Sequence, residues 1–68
     1  MNRIRDLRED RELKQRQVAE LLGMSQQNYS KIESGATDIT SEKLILLADF
    51  YQVSVDYLLG LSKNPRRD

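Results

Sequence analysis

Only three residues, Gly23-Met24-Ser25, separate two short segments that are each patterned as a helix. Residues 15–22 carry Val18, Ala19, Leu21 and Leu22 as an apolar stripe, and residues 26–33 carry Tyr29 and Ile32 at helical spacing. Gly23 stands where a helix commonly ends in a left-handed residue. Ser25 stands where the next helix is capped. A connection this short, with glycine in it, makes two helices cross steeply rather than lie side by side. Ala19 falls where the two would touch, and its small side chain lets them approach. Leu22, Met24 and Ile32 fill the wedge between them. The rest of the chain has to be built around that angle.

The flanking residues supply three more helices. Ile4, Leu7 and Leu13 mark a first helix over about residues 2–12, with arginines and acids between them at pairing distance. Thr40 or Ser41 caps a helix over about 41–51, whose Leu44, Leu47, Ala48 and Tyr51 face inward. Ser54 caps a short last helix over about 55–59, stopped by Gly60. Nothing alternates over four or more residues, so no strand is expected. The fold class is therefore all-α, a compact bundle of five helices. Residues 1–61 form the domain, and 62–68, "SKNPRRD", form a polar, flexible tail.

Composition removes several kinds of chemistry. The 68 residues contain no Cys and no His, so thiolate metal sites, disulfides and the commonest general base are all missing. There is no glycine-rich phosphate loop and no carboxylate pair in an obvious cleft, so an enzyme is not expected, nor a metal or cofactor. No apolar run reaches the roughly 20 residues that span a bilayer. The charged start "MNRIRDLRED" is no signal peptide. A cytoplasmic domain is expected. Eleven basic residues balance eleven acidic ones, but unevenly. Residues 1–35 hold seven Lys/Arg against six Asp/Glu, while residues 36–60 hold only Lys43 against four acids. Any basic face must come from the first half and the tail, with the acidic second half turned away from an anion.

With Tyr29 and Ile32 inward, the helical period turns Gln26, Gln27, Ser30 and Lys31 outward, followed by Ser34. Glutamine can bond adenine N7 and N6, and lysine can donate to guanine O6 and N7. A solvated face normally mixes Glu with Lys. This one has neither Asp nor Glu between Gly23 and Ile32, and an acid there would repel phosphate. At the start of the preceding helix, Gln15 and Arg16 could hold a phosphate, with Lys14 adding charge. Arg16 could equally pair with Glu20 one turn on.

Over about residues 4–60, "LREDRELKQRQVAELLGMSQQNYSKIESG" and "VSVDYLLG" resemble the helix-turn-helix family of the phage repressor and Cro proteins, the XRE type. The matching residues are Leu7-Arg8, then Gln15, Val18, Ala19, Leu22 to Ser25, Ser30 to Gly35, and Val53 to Gly60. The resemblance implies a domain of the phage-repressor DNA-binding type, with its helix-turn-helix at about 15–33. It implies a small transcriptional regulator, a repressor, encoded by a bacterium or phage, binding double-stranded DNA without a cofactor. Gln26, Gln27 and Lys31 would contact bases. Gln15, Arg16, Asn28, Ser30 and Ser34 would contact the DNA backbone, and Gln15 would brace the recognition helix. Arg8 and Glu33 would form an internal ion pair. Two departures carry consequences. The loop "SGATDIT" has no Lys or Arg where the family's is often basic, so fewer phosphate contacts and a shallower salt dependence are expected. Lys14 replaces the usual Ser/Thr cap of the second helix, so that helix start is expected to fray.

Leu46 and Phe50 lie at i and i+4 outside this pattern, on a face that relatives usually fill with polar residues. Tyr57 and Leu61 could join them. A contiguous exposed apolar patch is a candidate interface. It suits a homodimer that sets two recognition helices one turn apart on a palindromic operator. The other reading of Phe50 tucks it under the tail of a monomer. The other reading of the whole chain is a protein-interaction module or antitoxin-like partner protein, in which DNA binding is weak or secondary; a regulatory protein is a further candidate partner.

Overall fold

The computed structural model describes residues 2–66 and is all-helical: α1 Ile4–Asp10, α2 Gln15–Leu21, α3 Gln26–Ser34, α4 Ser41–Tyr51 and α5 Val55–Leu58. Residue 1 of the expected domain and residues 67–68 of the expected tail lie outside the described residues. Twelve apolar side chains form one core: Ile4, Leu7, Val18, Ala19, Leu22, Tyr29, Ile32, Leu47, Ala48, Tyr51, Val53 and Leu58. Every helix contributes, so none is stable by itself at these lengths. Leu13, Met24, Ile39, Leu44, Val55 and Tyr57 pack around that core from its edges.

Side-chain caps open three of the helices. Ser25, Thr40 and Ser54 each accept from the backbone N–H three residues on, at 3.2, 3.4 and 3.0 Å. Lys14 cannot do this, but the start of α2 is held another way. The carboxamide oxygen of Gln17 accepts from the Lys14 N–H at 2.8 Å, the reciprocal half of a capping box.

All five helices end alike. A residue with positive φ follows the last turn, and the N–H after it reaches back to the carbonyl five residues earlier, the 6→1 bond of a Schellman motif. Gly23, Gly35 and Gly60 occupy that position, as do Glu12 (φ 55) and Gln52 (φ 58). The bonds are Leu13 to Arg8, Met24 to Ala19, Ala36 to Lys31, Val53 to Ala48 and Leu61 to Asp56, all 2.9–3.0 Å. Glu12 ends α1 at Asp10, so the first helix is shorter than the expected 2–12. At its other end Asn2 Oδ1 accepts from Ile4 N at 3.1 Å and starts the helix there.

Two arginines tie the first third of the chain to the last helices. Arg11 Nη2 donates to the Tyr51 carbonyl at 3.0 Å, with the guanidinium 5.4 Å from the Tyr51 ring centroid. Arg3 Nε donates to the Tyr57 carbonyl at 3.1 Å and stacks 4.4 Å over the Tyr57 ring. Both place a cation on the last carbonyls of a helix, where the dipole is negative. The tail turns back along the same edge. Arg3 Nη2 reaches the Ser62 carbonyl at 3.3 Å, and Ser54 N–H donates to the Pro65 carbonyl at 3.1 Å.

Candidate nucleic-acid interface

The short Gly23 turn holds α3 across α2 with Tyr29 and Ile32 buried between them and the core. That fixes the rotation of α3 about its axis. Gln26, Gln27, Asn28, Lys31 and Ser34 are left exposed, with Ser30 half-buried. Gln26, Gln27, Ser30 and Lys31 line one open concavity, and Gln15 from the start of α2 closes its side. Carboxamide, hydroxyl and ammonium groups therefore converge there with no carboxylate among them.

The angle of α3 is fixed by a half-hidden polar network at its far end. Arg8 donates twice to Glu33, from Nε to Oε2 at 2.6 Å and from Nη2 to Oε1 at 3.1 Å. Its Nη1 donates to the Leu13 carbonyl at 2.8 Å. Gln15 Nε2 donates to Glu33 Oε1 at 3.1 Å, which joins α1, α2 and α3 through one carboxylate. The Arg8 and Glu33 side chains are only 12% and 4% exposed. Burial raises the Glu33 carboxyl, but hydrogen bonding to Arg8, Tyr29 and Gln15 outweighs it and holds the group below the usual glutamate range. The hydrogen bond to Glu33 likewise raises Arg8 above its ordinary value, against the opposing effect of burial. Tyr29 Oη lies buried close to the carboxylate, just outside strict hydrogen-bond geometry. Burial pushes the Tyr51 phenol up to about 12, and moves Tyr29 further in the same direction.

Two further grooves flank the concavity. One is lined by Arg5, Arg8, Gln15, Ser30, Glu33 and Ser34. The other runs between α3 and the start of α4, and includes Asn28, Lys31, Asp38, Thr40 and Lys43. Arg5 and Lys43 were missing from the sequence expectations. Arg5 had a signal: it lies one turn before Arg8 on the same face of α1, so an Arg8 that reaches α3 brings Arg5 beside it. Lys43 had none, because its nearness to α3 depends on the path of the loop from Gly35 to Thr40. Arg16 is exposed and forms no ion pair with Glu20 among the described residues. Ser34 Oγ donates back to the Lys31 carbonyl at 3.1 Å.

The surface apolar residues of α4, α5 and the start of the tail are not all alike. Leu46 and Phe50 are each 43% exposed and Leu61 is 75% exposed. Phe50 packs edge-on to the Tyr51 ring at 5.0 Å. Tyr57 is half-buried, with one ring face occupied by Arg3. Ile45, also exposed at 57%, widens the apolar surface of α4. Among the described residues no helix is long and apolar enough to cross a membrane, and no group of three or more His, Cys, Asp or Glu could hold a metal ion.

A helix-turn-helix family matches residues 4–58. The chain is 40% identical over 63 residues to the uncharacterized HTH-type transcriptional regulator YobD of Bacillus subtilis (strain 168), covering 93% of this chain and 56% of that protein. To the HTH-type transcriptional regulator AnsR of the same organism it is 33% identical over 63 residues, covering 93% and 54%. To its HTH-type transcriptional regulator ImmR it is 34% identical over 58 residues, covering 85% and 46%. The chain thus spans about half the length of the curated relatives it matches. No solved structure matches it at the same stringency. With a family match that runs from the start of α1 to the end of α5, the chain belongs to the phage repressor- and Cro-like, XRE-type, helix-turn-helix family.

Proposed function

We propose that this chain binds double-stranded DNA sequence-specifically as a transcriptional regulator, laying α3 in the major groove. The observation that carries this is the concavity shared by Gln15, Gln26, Gln27, Ser30 and Lys31, free of carboxylates on a molecule whose charges otherwise cancel. Gln26, Gln27 and Lys31 contact base edges. Gln15, Arg16, Asn28, Ser30 and Ser34 contact the sugar–phosphate backbone and set the register. Gln15 has a double role, since one amide hydrogen is committed to Glu33 and the other remains for phosphate. The regulator acts in the bacterial cytoplasm as a repressor. It is a homodimer joined through Leu46, Phe50 and Leu61, with Tyr57 at the rim, on a palindromic operator.

Selection of bound duplexes from a randomised pool at about 100 mM salt, followed by sequencing, tests this. A two-fold-symmetric motif is expected, and substituting Gln27 should relax one position in each half-site. Failure to enrich any motif, with weak binding at low salt too, would remove the proposal. Phe50→Glu should abolish dimerisation in sedimentation with the helical circular dichroism intact. Unfolding of that variant would make Phe50 a core residue and end the dimer assignment. The competing reading, a protein-interaction or antitoxin-like module, draws on the zero net charge and the loop without Lys or Arg. It predicts no salt-dependent duplex binding.

A further inference from the structure

We infer that Arg5, on α1 and outside the helix-turn-helix, is a DNA phosphate ligand held in reserve by Glu9. The inference rests on the DNA-binding proposal above and extends the interface beyond α2 and α3. In the structure Arg5 Nε lies 3.5 Å from Glu9 Oε2, an i,i+4 pair whose side chains are 66% and 53% exposed. A pair this open contributes little to stability, so the fold does not need it.

The surroundings of Arg5 are two-sided. On one side it shares a recess with Asn2, Asp6, Glu9 and Glu33. On the other it lines the groove formed with Arg8, Gln15, Ser30, Glu33 and Ser34, in which the Glu33 carboxylate is neutralised by Arg8. That groove shares Gln15 and Ser30 with the base-reading concavity, so the two surfaces are continuous. Of the two cations among the described residues lining it, Arg8 is spent on Glu33 and the Leu13 carbonyl. Arg5 is the guanidinium left to meet an anion there. The Ser30 hydroxyl lines the same groove, and hydroxyls are common phosphate partners, whereas the Ser34 hydroxyl is already committed to the Lys31 carbonyl. A phosphate placed beside α3 therefore competes with Glu9 for Arg5. Arginine suits the exchange, since its planar fork can hold either oxyanion with two hydrogen bonds. Glu9 thereby weakens binding in proportion to the Arg5–Glu9 contact it must give up.

The test uses the full chain and a labelled duplex taken from the selection above, with affinity measured by fluorescence anisotropy between about 50 and 200 mM salt. Arg5→Gln should weaken binding about five- to tenfold and make the slope of log K against log salt shallower by about 0.9, one phosphate's share. Glu9→Gln should tighten binding about two- to fivefold, the range expected from releasing an exposed ion pair. The double variant should bind like Arg5→Gln alone, because the effect of Glu9 runs through Arg5. Thermal melts should be nearly unchanged in all three. If the wild-type chain binds the duplex and Arg5→Gln has the same affinity and salt slope, the inference is wrong. Tightening by Glu9→Gln that persists without Arg5 also overturns it, since Glu9 would then act by general repulsion. A wild-type chain that binds no duplex at any salt defeats the DNA-binding proposal itself, which is a distinguishable result.

Discussion

Glu33→Gln removes the carboxylate on which three helices converge, and the structure allows its cost to be worked out. The substitution keeps the shape and leaves the Gln15 contact replaceable. It leaves Arg8 charged and 12% exposed, with no counter-charge and with only the Leu13 carbonyl and one neutral carboxamide oxygen as acceptors. Breaking one side of a buried ion pair costs about 3–5 kcal/mol. The residual Leu13 bond and the slight exposure of Arg8 put this case near about 3 kcal/mol. At about 0.05–0.15 kcal/mol per residue, a chain of 68 residues has only about 3–10 kcal/mol of stability to lose. At about 4–8 °C per kcal/mol the midpoint of thermal unfolding should fall by about 12–24 °C at pH 7. Replacing both partners, Arg8→Met with Glu33→Leu, strands no charge and should restore much of that loss. The pH dependence adds a check with a definite sign. The Glu33 carboxyl is held below its ordinary value in the folded protein. Its contribution is therefore complete above the unfolded value of about 4.3, and is lost as pH falls through the folded value. The double variant should lose that part of the acid limb. Circular-dichroism melts of the wild type, Glu33→Gln and the double variant from pH 2 to 7 measure this. A fall of less than about 5 °C for Glu33→Gln, or a double variant less stable than Glu33→Gln, would refute the account.

Three further outcomes are expected. Glu12→Gly should stabilise the domain by about 1 kcal/mol in urea unfolding, because it removes a β-carbon from a left-handed position at the end of α1; equal or lower stability would mean the Glu12 side chain contributes something its geometry does not reveal. Tyr51→Phe deletes a buried hydroxyl that has no hydrogen-bond partner, so unfolding should show unchanged or slightly higher stability, and a loss above about 1 kcal/mol would show that the hydroxyl is satisfied in solution. Lys43→Gln should make the salt dependence of duplex binding shallower by about 0.9, because Lys43 faces the same groove as Asn28 and Lys31; an unchanged slope would leave the second half of the chain without a DNA contact.

What the sequence determined by itself was what short-range physics controls. The helical period placed Tyr29 and Ile32 inward and the glutamines outward. Ser25, Thr40 and Ser54 marked helix starts, and Gly23 and Gly60 marked stops, because caps and left-handed residues act within one turn. The boundaries of α2, α3 and α4 were legible to within a residue for that reason. The Lys14 start was misjudged because the capping oxygen comes from Gln17, the reciprocal position of the box, not from the cap residue itself. The early end of α1 was invisible because Glu12 has no local preference for φ 55. Packing imposes that angle, and the arrival of Leu13 at the core edge is part of the same turn. Only the tertiary structure brought Arg5 and Lys43 to the two flanks of α3, laid Arg3 over the Tyr57 ring, and carried Pro65 back to Ser54. These pairings join residues far apart in the chain. Their existence depends on how the helices cross, and that angle is set by a core to which every helix contributes.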